Sequence, residues 1–288
     1  MIYITGSLNM DLCIETPYMP KEGETITGDK FITNGGGKGA NQATAAALLG
    51  GNVKMCGVVG KDSFGEILTD NLRKAGVNTN FIRREEGVST GIAVIVITNG
   101  NNRIILDKGA NGRLTEKDID EFLADAKPGD VYLTQLENPI PVIGYGLKKA
   151  KEAGLFTILN PAPANKEISA YFEYVDLITP NETELEIFGG KESLFSAGIK
   201  KIVTTLGGKG YEIADKNGEK VYPCIKVKPV DTTAAGDTLC GGLVVGLSEG
   251  KTLEEACAFG SKAASIACTR RGAQQSIPTR EETENYKG

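Results

Sequence analysis

Two glycine-rich segments of the chain have residue types suited to hold the phosphates of a nucleotide. Segment 34–43 reads NGGGKGANQA and offers donors from Lys38 and Asn41, while segment 204–210 reads TTLGGKG. Glycine permits close approach of a ligand to the backbone. The first segment is not a Walker A loop, because glycine follows Lys38, and it lacks the last glycine of the dinucleotide fingerprint, where Ala40 stands. For each segment, a ligand contact and a plain glycine-rich turn both remain open.

Segment 230–242 reads VDTTAAGDTLCGG and predicts an anion site beside a carboxylate. The backbone N–H groups of Ala234, Ala235 and Gly236 would lie at the positive end of the following helix, where an anion is stabilised. Because a carboxylate repels a phosphoryl group, Asp237 fits a base that takes the proton of an attacking hydroxyl. An N-cap role for Asp237 explains the same spacing.

Segment 179–186, TPNETELE, combines an amide and a carboxylate at a predicted helix start. Asn181 and Glu184 are three residues apart and so share one face of the helix. Together they can hold Mg²⁺ through bound waters, since this ion keeps several of its waters in proteins. A capping box, with Asn181 as the cap and Glu184 at the third helical position, is the alternative.

The composition excludes several classes of site. Histidine is absent, which excludes Ser-His-Asp and Cys-His pairs and His-ligated metals. The net charge of −5, without a block of like charge, argues against a nucleic-acid partner. No apolar run reaches the length of a membrane span, and the N-terminus reads as a strand, not a signal peptide. We expect a cytoplasmic protein whose six cysteines are reduced and mostly buried.

The elements that must position these segments alternate between strand and helix patterns. Strands are predicted for the short apolar runs MIYITG, VKMCGVVG, DVYLTQL, LFTILN, VDLITP and KIVTTLG. Helices are predicted for GANQATAAALLG, SFGEILTDNLRKAG, LTEKDIDEFLADA and PIPVIGYGLKKAKEAG, and over 237–249, 252–269 and 279–286. The apolar runs of the predicted strands do not alternate with polar residues, which indicates strands buried on both faces. The sequence therefore predicts a mostly parallel sheet with helices on both sides. We expect one three-layer α/β/α domain over residues 1–288.

Three segments depart from this alternation. Residues 88–108 read as a β-hairpin around the turn NGNN, and residues 24–33 read as a strand without a neighbouring helix. Together they predict a small antiparallel sheet, or lid, standing off the main domain. A second hairpin around Asn217-Gly218 would lie at the far edge. Ligands of such folds bind beyond the carboxyl ends of strands, where polar residues are found here: Asn9, Asp11, Gln135, Glu137, Asn160, Asn181, Glu184 and Thr205.

The motifs together resemble the ribokinase branch of the ribokinase/phosphofructokinase-B family of carbohydrate kinases. GSLNMDL is similar to that family's first sugar-contact segment, and GGGKGANQA and DTTAAGDT are similar to its two signatures. NPAPA, TPNETE, TTLGGKG and TRRGAQQS follow in the family's order with similar spacing. The resemblance implies this family's fold, with a lid drawn from about 9–34 and 88–108, and ATP-dependent phosphorylation of a sugar hydroxyl, for ribose O5.

The resemblance also implies a role for each matched residue. The sugar would be held by Asn9, Asp11, Gly37, Lys38, Asn41 and Glu137. Asp237 would be the base, and the N–H groups of 234–237 (Ala234, Ala235, Gly236 and Asp237) the anion hole. ATP would lie along Asn181, Thr205, Gly207, Gly210, Gly236 and Ser261, with Mg²⁺ near Asn181 and Glu184. A monovalent cation, K⁺, would involve Asp231, Thr233, Ala267, Arg270, Gly272 and Ser276. The lid would also form a homodimer contact.

Three departures from the family pattern bear on the substrate and the nucleotide. Met10 stands where a smaller residue is common, so 2-deoxyribose, fructose or a nucleoside stays an alternative substrate. Segment 189–200 is short for the family and predicts a trimmed helix, and Ser261 stands where some relatives have histidine near the adenine. A sugar-binding protein without turnover is a distant alternative, and a nicotinamide dehydrogenase more distant still, because no dinucleotide fingerprint follows a strand.

Overall fold

The computed structural model describes residues 1–99 and 101–288. Its strands are β1 (Ile2–Thr5), β2 (Asn9–Thr16), β3 (Asp29–Gly36), β4 (Val53–Gly60), β5 (Asn78–Glu85), β6 (Gly91–Thr98), β7 (Asn101–Asp107), β8 (Val131–Thr134), β9 (Phe156–Leu159), β10 (Leu177–Ile178), β11 (Lys201–Thr205), β12 (Tyr211–Asp215) and β13 (Gly218–Tyr222). Its α-helices are α1 (Lys38–Leu48), α2 (Ser63–Lys74), α3 (Glu116–Phe122), α4 (Ile140–Glu152), α5 (Glu182–Ile187), α6 (Gly190–Ser196), α7 (Ala235–Ser248), α8 (Leu253–Ala267) and α9 (Arg280–Asn285).

The central sheet has the strand order β13-β12-β11-β10-β9-β8-β1-β4-β5. Its strands from β5 to β11 pair in parallel, and the hairpin β12–β13 adds two antiparallel strands at one edge. All four residues of β1 and all eight of β4 are buried, as the apolar runs predict for strands covered on both faces. The predicted mostly parallel sheet and the hairpin at its far edge are confirmed.

Helices cover both faces of this sheet and form two cores. On one face, side chains of α1, α2, α7 and α8 pack with inward residues of β1, β4 and β8. On the other, α3, α4, α6 and a 3₁₀ helix over residues 166–174 pack with the remaining inward residues. The arrangement confirms the three-layer α/β/α fold. The helix predicted in the short segment 189–200 is present as α6, of seven residues.

A second sheet with the order β3-β2-β6-β7 forms the lid. The hairpin β6–β7 and the pair β2–β3 are antiparallel, as predicted, while the central pair β2–β6 is parallel. That pair is parallel because the chain returns to the lid through a long connection containing α1, β4, α2 and β5. The predicted strand over 24–33 begins only at Asp29. The predicted turn NGNN contains residue 100, which lies outside the described residues.

The end of the lid remote from the core exposes large apolar side chains. Phe31 and Ile32 on β3, and Ile104 and Ile105 on β7, are each more than half exposed. The strand register aligns Ile32, Cys13, Ile95 and Ile104 in one row across the four strands. The two ends of this apolar row, Ile32 and Ile104, are exposed, while Cys13 within it is buried.

The six cysteines are free thiols, of which Cys224 and Cys268 are partly exposed and the others buried. This agrees with the prediction of reduced cysteines. Across the described residues, no helix combines the length and the apolar character that a membrane crossing requires.

Candidate active site

The site is organised around Asp237, which lies in the first turn of α7 and is buried. The helix begins at Ala235 after Ala234, whose φ of 58° places a non-glycine residue in the left-handed region. Such a conformation is costly and clusters at functional sites. Asp237 is therefore not the N-cap of α7, and the alternative capping role does not account for its position.

The backbone N–H groups at this helix start differ in their partners. The N–H of Ala235 donates to the carbonyl of Thr232 at 3.2 Å. Among the described residues, the N–H groups of Ala234, Gly236 and Asp237 make no hydrogen bond. Unpaired N–H groups at the positive end of a helix attract an anion. Three of the four predicted anion-hole donors thus have no intramolecular acceptor.

Two consecutive residues of α1 hold the carboxylate of Asp237. Nδ2 of Asn41 donates to Oδ2 at 3.0 Å, and Nε2 of Gln42 donates to Oδ1 at 2.9 Å. Both amides are buried. Hydrogen bonds to the charged form of a carboxylate favour that form, so these two donors stabilise an ionised Asp237.

The predicted sugar contacts converge at the base of the lid. Asn9 and Asp11 lie on the same face of β2, since strand residues two apart share a face. Oε2 of Glu137 accepts from Nδ2 of Asn9 at 3.5 Å and from the N–H of Lys38 at 3.2 Å. Gly37, with a φ of 89°, brings the backbone so close that a Cβ there would lie 2.7 Å from the N of Asn9. The structure therefore brings together the polar groups that the sequence assigned to a sugar.

The electrostatics of this cluster favour protonation of one carboxyl group. Burial, together with the negative charges of Glu137 and Asp237, raises the pKa of Asp11 to about 7. A carboxylate in this environment gains from any hydroxyl or cation that reaches it. The cluster is therefore prepared for a ligand that donates hydrogen bonds, such as a polyol.

Two residues that the sequence reasoning did not single out support the sugar contacts. Oγ of Ser7 donates to Oε2 of Glu137. Asn111, fully buried, donates through Nδ2 to Oδ1 of Asn9 at 2.7 Å and accepts from the N–H of Leu8 at 2.9 Å. Ser7 stands inside the motif GSLNMDL, and Asn111 inside the stretch GANG just after the lid, so a search for polar residues beside the motifs would have found both.

Lys38, unlike the other residues predicted to hold the sugar, lines a cavity on the side of α7. Its side chain lines a polar cavity of about 240 Å³ together with Asn181, Glu184 and Asp237. Burial lowers the pKa of Lys38, but the negative charges of Asp237, Glu137 and Glu184 outweigh it and raise the pKa above its ordinary value. A charged ammonium group therefore lies on the same side as the unpaired N–H groups of α7, where an incoming phosphate would be.

Asn181 and Glu184 form the capping box that the sequence left as an alternative. Oδ1 of Asn181 accepts from the N–H of Glu184 at 2.8 Å, and the Glu184 carboxylate accepts from the N–H of Asn181 at 2.9 Å. Burial nevertheless raises the pKa of Glu184 above its ordinary value. Both residues also line the polar cavity, so capping of α5 does not remove them from the site.

A second, largely apolar cavity of about 450 Å³ continues from the polar one. The two share Thr205, Thr232, Ala235 and Gly236. The predicted nucleotide residues Gly207, Gly210 and Ser261 line the apolar cavity, with Ile225, Val227 and Leu239 on its walls. An apolar cavity that opens into a polar one matches a nucleotide, whose base is flat and weakly polar and whose phosphates are charged.

The predicted cation residues gather only in part. Oδ1 of Asp231 accepts from the N–H and Oγ1 of Thr233, and Oδ2 accepts from the N–H of Gly272 at 3.0 Å. Burial raises the pKa of Asp231, but these hydrogen bonds outweigh it and hold the pKa below its ordinary value. The guanidinium of Arg270 instead pairs with Glu282 at 2.7 Å. Ala267 and Ser276 are buried, and Oγ of Ser276 donates to the carbonyl of Ala273.

Within the described residues, no group of three or more Cys, Asp and Glu side chains has the arrangement of a metal site. A magnesium ion here would therefore depend on one or two carboxylates, waters and phosphate oxygens, as this ion commonly does.

Met10, suspected of narrowing the sugar site, is buried in the hydrophobic core beside Ile92 and Leu12. Its side chain leaves β2 on the face opposite to Asn9 and Asp11.

Comparison with known proteins assigns the chain to a family. Residues 1–280 match the family described as pfkB family carbohydrate kinase. The chain is 40% identical to a ribokinase of Haemophilus influenzae, over 97% of this chain and 96% of that protein. It is 35% identical to a deoxyribokinase of Salmonella typhi, over 99% of this chain and 98% of that protein.

A solved structure shows the same fold over nearly the whole chain. The ribokinase of Arabidopsis thaliana, complexed with ribose and ATP, superposes with a TM-score of 0.87 at 31% identity, covering 98% of this chain and 97% of that one. Fold, motif order and matched length agree with the family match. The chain therefore belongs to the pfkB family of carbohydrate kinases.

Proposed function

We propose that this protein transfers the γ-phosphoryl group of ATP to O5 of D-ribose. The observation that carries the proposal is the position of Asp237. Its carboxylate contacts Asn41 of the predicted sugar set, and the residue also lines the polar cavity that opens into the apolar one. A base between a sugar and a phosphate chain is what transfer to a hydroxyl requires. Ribokinases among the relatives support ribose as the acceptor.

In this mechanism each group of the site has one task. Asn9, Asp11, Gly37, Asn41 and Glu137 hold the sugar so that its reacting hydroxyl faces Asp237. The Asp237 carboxylate takes the hydroxyl proton as the oxygen attacks the γ-phosphorus. The unpaired N–H groups of Ala234, Gly236 and Asp237, with the ammonium group of Lys38, stabilise the charge that develops on the transferring group. Positioning and charge stabilisation account for most of the catalysis of phosphoryl transfer.

Two ions fit residues of the site. Mg²⁺, held near Asn181 and Glu184 through water, would neutralise charge on the ATP phosphates. K⁺, held by the loops around Asp231 and Gly272 largely through backbone oxygens, would order the α7 start. The Asp231 carboxylate already ties those two loops together, so a cation held by them would further order the loop that precedes α7.

The main alternative is another sugar, above all 2-deoxyribose, because a deoxyribokinase lies among the relatives. Fructose and nucleosides are further alternatives within the family. A sugar-binding protein without turnover would not need a base beside an anion hole, so the retained Asp237 disfavours it. A cytoplasmic location fits an enzyme that uses ATP and carries six free thiols.

A panel of sugars tests the substrate. We expect kcat/KM for ribose to exceed that for 2-deoxyribose at least about tenfold, because a site that hydrogen-bonds a hydroxyl discriminates against an analogue that lacks it. Fructose and adenosine should be poorer still. The measurement is ADP release with Mg-ATP, with and without K⁺. Equal or faster turnover of 2-deoxyribose would reassign the substrate, and sugar binding without ADP release would favour a binding protein.

The variant Asp237→Asn tests the base. It keeps the size of the side chain and one of the two acceptor oxygens but cannot take up the proton, so kcat should fall about 10²–10⁴-fold. The unfolding midpoint and the affinity for ATP should stay close to those of the wild type. Asp70→Asn, the same change at an exposed aspartate of α2, is the control and should retain full activity. Wild-type kcat in Asp237→Asn would contradict the assignment of the base.

The raised pKa of Asp11 predicts a pH-dependent affinity for the sugar. An ionised carboxylate accepts hydroxyl hydrogen bonds better than a protonated one, so binding should strengthen as the pH rises through about 7. Between pH 6 and pH 8 the dissociation constant for ribose, measured by calorimetry without nucleotide, should fall about tenfold. In Asp11→Asn the affinity should be weaker and this pH dependence absent. Tighter binding at pH 6 than at pH 8 would show that Asp11 does not act as the acceptor.

We further propose that the apolar row of the lid is covered by the lid of a second copy, giving a homodimer. Ile104→Glu places a charge in that row and should shift the protein to a monomer in sedimentation equilibrium. Ile67→Glu, at an exposed isoleucine of α2 outside the lid, should leave the dimer intact. A monomeric wild type, or a dimer that survives Ile104→Glu, would remove the lid as the dimer contact.

A further inference from the structure

Gln42 contacts the base without reaching the substrate. Its side chain is fully buried and lies outside the lining of both cavities. Nε2 donates to Oδ1 of Asp237 at 2.9 Å and to Oδ1 of Asn160 at 3.1 Å, while Oε1 accepts from Nε2 of Gln135 at 2.6 Å. The amide therefore uses both of its N–H donors and its acceptor within a short buried network.

The charge of Asp237 fixes the orientation of every amide in this network. A carboxylate requires donors, so the NH₂ group of Gln42 must face Asp237. Its Oε1 then faces Gln135, whose NH₂ group must turn toward it. Nδ2 of Asn160 donates to the carbonyl of Thr179 at 2.9 Å, which leaves its Oδ1 toward Gln42. Reversing any one amide would bring two acceptors or two donors together.

The orientation of these amides leaves one buried oxygen of the network without a hydrogen bond. Oε1 of Gln135 is buried and has no hydrogen-bond partner among the described residues. An unsatisfied buried acceptor destabilises the fold, and such groups call for an explanation. Turning the Gln135 amide over would place its oxygen against Oε1 of Gln42 and break the chain of donors that ends at Asp237.

We infer that Gln42, held by Gln135 and Asn160, is a positioning residue that fixes the side-chain rotamer of Asp237 and determines which carboxylate oxygen receives the substrate proton. The inference rests on the proposed kinase function. Gln42 binds Oδ1 from the protein interior. Oδ2 is bound by Asn41, whose Oδ1 in turn accepts from Gln274 at 3.3 Å near the base of the lid. Oδ2 is therefore the oxygen that faces the sugar.

A neutral amide suits this task better than a cation would. A lysine or arginine at this place would stabilise the carboxylate so strongly that its basicity would fall. Two amide donors orient the group and compensate its burial while leaving it able to accept a proton. Gln42 thus acts on the rate through the geometry and basicity of Asp237, not through contact with the ligand.

The variant Gln42→Leu tests the inference, since it keeps the volume and removes the donors. We expect kcat for ribose to fall about ten- to a hundredfold, with KM for ribose and ATP within about twofold of the wild type. Removing a hydrogen bond to the charged form of a carboxylate disfavours that form, so the acid limb of the kcat–pH profile should move to higher pH. In the Asp237→Asn background, Gln42→Leu should cause no further loss, because Gln42 acts only through Asp237.

Thr44→Val is the matched control, because it removes from the same helix a buried hydroxyl that has no hydrogen-bond partner in the described part of the chain. It should leave kcat and the pH profile unchanged. Gln135→Leu is the second variant: it does not touch Asp237, and it should shift the pH profile in the same direction with a smaller loss of kcat. If Gln42→Leu does not fold, Gln135→Leu decides the question by the same two readouts.

The outcomes separate this inference from the proposed function. No ADP release by the wild type with any sugar overturns the function and the inference together. Wild-type turnover with an unshifted pH profile in the folded variants overturns the inference alone. The inference is also overturned if the fall in kcat of the double variant Gln42→Leu/Asp237→Asn equals the product of the falls in the two single variants. That result would indicate a general structural effect of Gln42→Leu.

Discussion

The constraint on which the site depends is that one buried carboxylate must stay ionised beside the place where a polyanion arrives. Asp237 is only 8% exposed, and an isolated charge in such a place would be costly. The cost is offset by two amide donors from α1 and by the nearby ammonium group of Lys38. All three groups come from the first turns of α1. The position of α1 against α7 therefore sets the chemistry.

That requirement explains the small residues at the contact of the two helices. A Cβ on Gly241 of α7 would lie 2.4 Å from Cβ of Ala45 of α1, and one on Gly39 would lie 2.5 Å from the backbone of Gly6. Larger side chains would push α1 away from α7 and from β1. The donors of Asn41 and Gln42 would then no longer reach Asp237. Glycine and alanine in GGGKGANQA thus serve close packing of the helix as much as contact with a ligand.

Local patterns predicted the elements, while contacts distant in sequence decided the roles of residues. The apolar runs of β1, β4 and β11 identify their strands because burial on both faces leaves no alternation. The edge strand β5 was not predicted, since its sequence NTNFIRRE is mostly polar and contains only two large apolar residues. Lys38 was assigned to the sugar from its motif, and the motif did not indicate that Lys38 also lines the polar cavity with Glu184. Gln42 was not singled out, because its partner Asp237 lies 195 residues away.

The lid strand β2 connects substrate contact with the core through simple alternation. Asn9 and Asp11 face the sugar side, while Met10 between them is buried in the core, so a shift of one residue would exchange their faces. Met10 therefore helps to fix the register of β2 and does not face the cluster of Asn9 and Asp11. Discrimination between ribose and 2-deoxyribose must then come from polar groups, because one missing hydroxyl leaves a partly buried acceptor unpaired. Asp11 and Glu137 are two acceptors in one cluster, so the proposed choice between the two sugars depends on their hydrogen bonds. Relatives named for either sugar share most of this sequence length.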